Sequence, residues 1–180
     1  MIVVREMVAC SLWFALIELG VDLELIDPVG QVPVIEDGDF RQRNQTTGTT
    51  LEEKAPVDQW LEVESNNFNH FVYNIVLQLL VFPKMGHNSD LTLVQKCADK
   101  LEKVLDIYEQ RLSKSKYFAG DVFSLADLSH LPSLRFIMNE GGFAHLVTER
   151  KCLQDWHLDI SSRPAWNKVL DLMMMKKSDM

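Results

Sequence analysis

Ser124 and Asp127 stand three residues apart within Phe123-Ser124-Leu125-Ala126-Asp127-Leu128, and they constrain the fold more than any other stretch of the chain. A hydroxyl at an N-cap and a carboxylate at the third helical position satisfy backbone N–H groups that a helix start leaves without partners. Phe123 before the cap and Leu128 at the fourth position are spaced as a hydrophobic staple. The pattern predicts a helix that opens at Ser124, continues to about Asn139 and is ended by Gly141-Gly142.

The preceding seventy residues are also helical in pattern. Thr50 and Glu53 repeat the capping spacing. Val57, Trp60, Leu61, Phe68, Phe71, Val72, Ile75, Val76 and Leu79 then recur at steps of three and four as far as Pro83. This run predicts one helix of roughly 30 residues, about 45 Å long, with Pro56 shortening or bending its start. Ser89-Asp90 opens a second helix, whose stripe is Val94, Cys97, Leu101, Val104, Leu105, Tyr108 and Leu112. Two shorter helices are expected at 150–160 and 164–173, the second with Pro164 in its first turn.

Residues 1–40 have a different character. Residues 11–19 are helix formers and stop at Gly20. Residues 21–26 alternate apolar and acidic side chains, the period of a half-buried strand. Asp27-Pro28-Val29-Gly30 breaks that strand, and 31–36 reads as a second one, ended by Asp37-Gly38-Asp39. Residues 41–49 are a polar linker by composition. The expected organisation is an α/β unit over 1–40, a linker over 41–49 and an all-helical bundle over 50–180.

Composition narrows the function. The chain is 47% hydrophobic and 24% charged, which fits a packed globular protein. Lys and Arg number 18 against 26 Asp and Glu, a net charge of −8, which argues against a nucleic-acid partner. Cys10, Cys97 and Cys152 are scattered, without a disulfide framework, and fit a reducing compartment. The best apolar run, 71–82, is interrupted by Asn74 and Gln78 and is too short to span a bilayer, which takes about 20 residues. Residues 7–17 lack the positive flank and cleavage site of a secretory leader and read as a first helix, so a cytoplasmic protein is expected. The histidines at 70, 87, 130, 145 and 157 show no ligand spacing, so no metal is expected.

Particular segments carry a resemblance. Residues 18–24 (Glu-Leu-Gly-Val-Asp-Leu-Glu) and 30–40 (Gly-Gln-Val-Pro-Val-Ile-Glu-Asp-Gly-Asp-Phe) resemble the amino-terminal domain of plant phi-class glutathione transferases. Residues 57–60 (Val-Asp-Gln-Trp), 103–109 (Lys-Val-Leu-Asp-Ile-Tyr-Glu), 123–132 and 160–166 (Ile-Ser-Ser-Arg-Pro-Ala-Trp) resemble the family's helical domain, most of all in its flavonoid- and anthocyanin-associated subgroup. The resemblance implies a truncated thioredoxin-like α/β domain plus an all-α bundle, and an enzyme that conjugates glutathione, its co-substrate, to electrophilic apolar compounds. It also implies a flavonoid or other apolar ligand and a homodimer. Two alternatives stay open: a non-catalytic, ligandin-like flavonoid carrier, and an inactive truncated product.

The resemblance also assigns residues. Gln31, Val32 and Pro33 bind glutathione, with a cis bond before Pro33 letting the Val32 backbone pair with the peptide. Phe68, Phe71, Val72 and Ile75 are candidates to line the acceptor pocket, although their spacing also suits a core. In the family a serine hydroxyl donates to the glutathione thiolate, and an ungapped count places that position on Glu6, leaving Ser11 as the nearest hydroxyl candidate. Two further segments of the family's first domain have no counterpart here: the one between its second strand and Gly-Gln-Val-Pro, and the one carrying the Glu-Ser pair that holds the γ-glutamyl end. Residues 1–50 also hold only three arginines against eight acidic residues. Weak activation of the thiol is therefore expected.

Overall fold

The computed structural model describes Gly48 and residues 50–178, with side chains through Asp171. The expected strands at 21–26 and 31–36, and the helix at 11–19, lie outside the described residues. What is described is a bundle of helices. The longest, α1, spans 51–84 and alternates in type: Leu51–Val63 is α-helical, Glu64–Asn69 is π-helical, His70–Val76 is α-helical, Leu77–Val81 is π-helical and Phe82–Lys84 closes the helix. There follow α2 (Leu91–Leu112), α3 (Leu125–Leu128), α4 (Leu131–Met138), α5 (Ala144–Thr148), α6 (Lys151–Ser161) and α7 (Pro164–Ser178).

The start of α1 is capped as its sequence requires. The Thr50 hydroxyl accepts from the Glu53 N–H and the Glu53 carboxylate accepts from the Thr50 N–H, both at 3.2 Å. The helix runs through Pro56. The missing N–H costs one bond in an exposed second turn, which is cheaper than the same loss in a buried interior. The π turns have a local cause. The Asn66 amide donates to the Glu62 carbonyl at 2.9 Å, and the Asn74 amide to the His70 carbonyl at 2.7 Å. Each side chain competes for the carbonyl that its own backbone N–H would take in an α-helix, which favours slippage to longer-range bonding.

α2 buries the stripe that its sequence announces: Val94, Cys97, Leu101, Leu105, Tyr108 and Leu112, with Val104 half-buried beside them. It packs most extensively on the His70–Val76 segment of α1. Gln78 ties the two helices at their connection. Its side-chain oxygen accepts from the Asp90 N–H at 2.7 Å, and its carbonyl accepts from the Ser89 hydroxyl at 2.6 Å. The polar residue that interrupts the apolar run is thus the latch between α1 and α2.

The helix expected from Ser124 to Asn139 is two helices. α3 ends at Leu128, and α4 begins at Leu131 with Pro132 in its first turn. Proline has no N–H to give Leu128, so a continuous helix would lose a buried bond and meet a ring clash; a fresh first turn loses nothing. The Ser129 hydroxyl and the His130 ring both turn back to the Ala126 carbonyl and hold the break. Gly141 stops α4. Its N–H donates to the Phe136 carbonyl at 2.7 Å, and a Cβ there would lie 3.0 Å from that oxygen and from the Phe136 ring.

α6 is capped from a distance. Its first N–H groups, those of Cys152 and Leu153, donate to the Glu109 carboxylate on α2 at 3.0 and 2.8 Å. Burial raises the Glu109 pKa, but these two bonds and the nearby Arg150 outweigh it and hold the carboxyl below its ordinary range. At the α3 start, Ser124 is 5% exposed and its hydroxyl donates to Asp127 at 2.9 Å. Ser124→Ala is expected to cost about 1–2 kcal/mol, the upper part of the N-cap range. An equilibrium denaturation curve that overlays the parent would refute the cap's contribution.

Candidate functional site

Six rings from five parts of the chain meet in the core. Trp60 and Phe68 come from α1, Tyr108 from α2, Phe118 from the following loop, His130 from the α3–α4 break and Trp156 from α6. Trp60 stacks on Phe118 with centroids 4.7 Å apart, and Phe118 stacks on His130 at 4.8 Å. Tyr108 sits edge-on to Trp60, Phe118 and His130 at 5.8, 4.6 and 5.3 Å. Such offset and edge contacts add to the burial of the rings.

Polar groups inside this layer are fixed by hydrogen bonds. His130 Nδ1 lies 2.6 Å from the Ala126 carbonyl, which can only accept, so Nδ1 carries the proton. Nε2 is then the acceptor for the Tyr108 hydroxyl at 3.0 Å. Burial drives the His130 pKa down to about 3, against the Ala126 bond that raises it, so the ring is neutral at physiological pH. Asp127 Oδ1 accepts from the Phe118 N–H and the Trp156 ring N–H, both at 3.0 Å. Oδ2 accepts from the Ser124 N–H and hydroxyl, both at 2.9 Å.

The sequence-predicted residues are placed unevenly. Ser11, Gln31, Val32 and Pro33, together with Glu6, lie outside the described residues. Phe68, Val72 and Ile75 have no exposed surface and belong to the core, with Phe68 against Tyr108 and His130. Phe71, one position off that stripe, is half-buried and faces a groove of about 410 Å³ between α1 and α2. His70, Asn74, Leu93, Lys96, Cys97, Asp99 and Lys100 line the groove with it, and the Lys100 ammonium lies 5.6 Å from the Phe71 ring. The structure therefore brings one of the four candidates to a surface and packs the other three inside.

Several polar residues of the layer escape sequence reasoning. Tyr108 reads as part of the α2 stripe, and His130 as one of five histidines without ligand spacing. Glu64 had a visible signal: it stands four residues after Trp60 and four before Phe68, a carboxyl inside an apolar face. Chemically, this half is a housing. Burial raises the Cys97 thiol despite nearby Lys100, and burial together with Glu109 raises the Cys152 thiol, so both stay protonated. Among the described residues no group of His, Cys, Asp and Glu is placed to hold a metal ion. Nor is any helix among them long and apolar enough to cross a membrane.

Comparison with known proteins places this bundle. The family model described as glutathione S-transferase, C-terminal domain, matches residues 72–164. Glutathione S-transferase F11 of Arabidopsis thaliana is 43% identical over 165 residues, covering 82% of this chain and 77% of that protein. The crystal structure of glutathione transferase F2 from Populus trichocarpa superposes with a TM-score of 0.82 at 31% identity, covering 96% of both chains. Maize glutathione S-transferase I, solved in complex with an atrazine glutathione conjugate, superposes at 0.79 with 32% identity over 92% of each chain. These likenesses give the chain the glutathione-transferase fold, and the bundle described above is that family's helical domain. Matched by that family through its helical half and by an F-type enzyme at 43% identity, this chain belongs to the plant phi-class glutathione S-transferases.

Proposed function

We propose that this protein conjugates glutathione to electrophilic, apolar acceptors, with the residues before Gly48 holding glutathione and the bundle supplying the apolar wall. The observation that carries this reading is the 43% identity to glutathione S-transferase F11. The maize structure that holds a glutathione conjugate supports it. Within this reading Gln31, Val32 and Pro33 pair with the glutathione backbone and Ser11 donates to its sulfur. Phe71 is the member of the predicted acceptor set with surface to offer a planar ligand such as a flavonoid. The division into 1–40, 41–49 and 50–180 follows the same reading, and the Thr50 cap supports its last boundary. A cytoplasmic homodimer completes it.

The test is conjugation of glutathione to a chloro-dinitrobenzene. A free thiol has a pKa of about 8.5, and lowering it two units takes about 2.7 kcal/mol of thiolate stabilisation. A helix N-terminus supplies about 0.3–1 kcal/mol, at best about 2. A carboxylate such as that of Glu6 opposes it by about 1–4 kcal/mol at 4 Å. The parent rate is therefore expected above the uncatalysed background but below the usual range of about 1–10³ s⁻¹. Glu6→Ser is expected to raise the rate at least about tenfold, and Ser11→Ala to lower it. Conjugation at background in both the parent and Glu6→Ser, with helical circular dichroism intact, would overturn the enzymatic reading.

A further inference from the structure

Two sides of α2 carry opposite charge patterns. Glu102 and Asp106 pair with Arg150 at 3.9 and 2.6 Å, and Glu109 accepts from the first N–H groups of α6, so these acidic residues are engaged on that side. Lys96 and Lys100, one turn apart, stand instead on the side that borders α1. Both are exposed, and among the described residues neither forms an ion pair. Asp99 shares that rim, but its Oδ1 accepts from the Gln95 amide at 2.7 Å, and the two lysines leave the rim net positive in a chain of net charge −8.

Helical spacing builds the groove that this rim borders. Leu93, Lys96, Cys97 and Lys100 fall three, four and seven residues along the helix and so share one face of α2. Cys97 sits where that face meets the buried stripe, and with half-buried Leu93 and Phe71 it forms an apolar floor. The His70 ring stands edge-on to Phe71 at 5.4 Å, and the Lys100 ammonium lies 5.6 Å from the same ring. The floor offers stacking and apolar contact to a flat ring, and the rim offers charge to an anion attached to that ring. The groove's volume, about 410 Å³, falls within the usual span of small-molecule sites, roughly 300–1,000 Å³.

We infer that this groove binds planar aromatic anions, molecules with a carboxylate or sulfonate on a fused-ring body: the body lies along Phe71 and the anion meets Lys96 and Lys100. A neutral aromatic of the same shape gains the floor alone, because it leaves both ammoniums to water. Lysine suits the task, since a point charge on a flexible stem follows an anion held at different distances from the ring. The site rests on the reading of Phe71 as ligand-facing, proposed above, and adds the charge that its ligand carries. It needs no thiol chemistry.

Calorimetric titration of the full chain without glutathione tests it, using two probes of one shape: naphthalene-2-sulfonate and the neutral naphthalene-2-sulfonamide. The sulfonate is expected to bind about three- to tenfold more tightly at low salt, the range for two exposed ion pairs, and to lose that preference above about 0.5 M salt. Lys96→Gln combined with Lys100→Gln is expected to abolish the preference and leave sulfonamide binding intact. Phe71→Ala is expected to weaken both probes alike, at least about threefold. Should Phe71→Ala not fold, the exposed lysine variant decides alone. Absent sulfonate binding, equal affinity for the two probes in the parent, or the same preference in the lysine variant overturns the site. So does a lysine variant that changes dimerisation in the ultracentrifuge and leaves probe binding untouched, because the lysines then face a second copy. A chain that fails to conjugate glutathione still answers this titration, and one that conjugates without preferring the sulfonate loses this site alone.

Discussion

Asp127→Ala is expected to lower the unfolding free energy by about 3–5 kcal/mol, far more than the loss of a surface cap. The substitution leaves three buried N–H groups without an acceptor: those of Phe118, Ser124 and the Trp156 ring. Each buried, unsatisfied donor costs about 1–3 kcal/mol. The effect spreads because the three donors belong to the loop after α2, to the α3 start and to α6. Urea denaturation followed by circular dichroism measures it. A loss below about 1 kcal/mol would mean that the network relaxes onto other acceptors.

The stability that parent and Glu64→Gln differ by is expected to change steadily between about pH 4.5 and about pH 7, the parent losing ground to the variant as pH rises. The folded pKa of Glu64, about 7, lies above its ordinary value of 4.5. Between those values the folded state keeps a proton that the unfolded state has lost, so raising pH favours unfolding. Above about pH 7 both states are ionised and the slope ends. At about 1.4 kcal/mol per pKa unit, the contribution of Glu64 is of order 3 kcal/mol. Burial also raises Asp127 against its four donors, so that residue adds a slope of the same sign, whereas His130 and His157, lowered by burial, and Glu109, held low, contribute slopes of opposite sign. The difference between parent and Glu64→Gln isolates one residue. Equal slopes from about pH 5 to about pH 7.5 would show that Glu64 is ionised in the folded state throughout.

Much of the bundle is legible in the chain because its information is local. The Thr50–Glu53 cap, the Asp90 start of α2 and the α2 stripe each depend on residues three or four positions apart, and they appear where that spacing puts them. The break between α3 and α4 was also written locally, in Pro132, but the staple and the apolar continuation outweighed it in a reading by periodicity. α5, five residues long, gave no periodic signal. The π turns needed the side chains of Asn66 and Asn74 to be seen bonding backwards.

The site divides in the same way. Family membership is carried by contiguous segments, and the sequence determined it alone, together with the helical class of 50–178 and the caps that start its main helices. Which side of a helix becomes core and which becomes groove was decided by the tertiary structure. Phe68, Phe71, Val72 and Ile75 share one helical pattern, yet three are sealed against α2 and the ring layer while Phe71 faces the groove. The two carboxyls make the distinction sharpest. Asp127 was legible as a cap, but two of its four donors come from Phe118 and from Trp156, twenty-nine positions away. Glu64 shows in the chain only as a carboxyl on an apolar face, and its burial appears once the bundle is packed. Capping is a bond between chain neighbours, whereas desolvation sums over whatever the fold packs around a group, and those neighbours exist only once the bundle has formed.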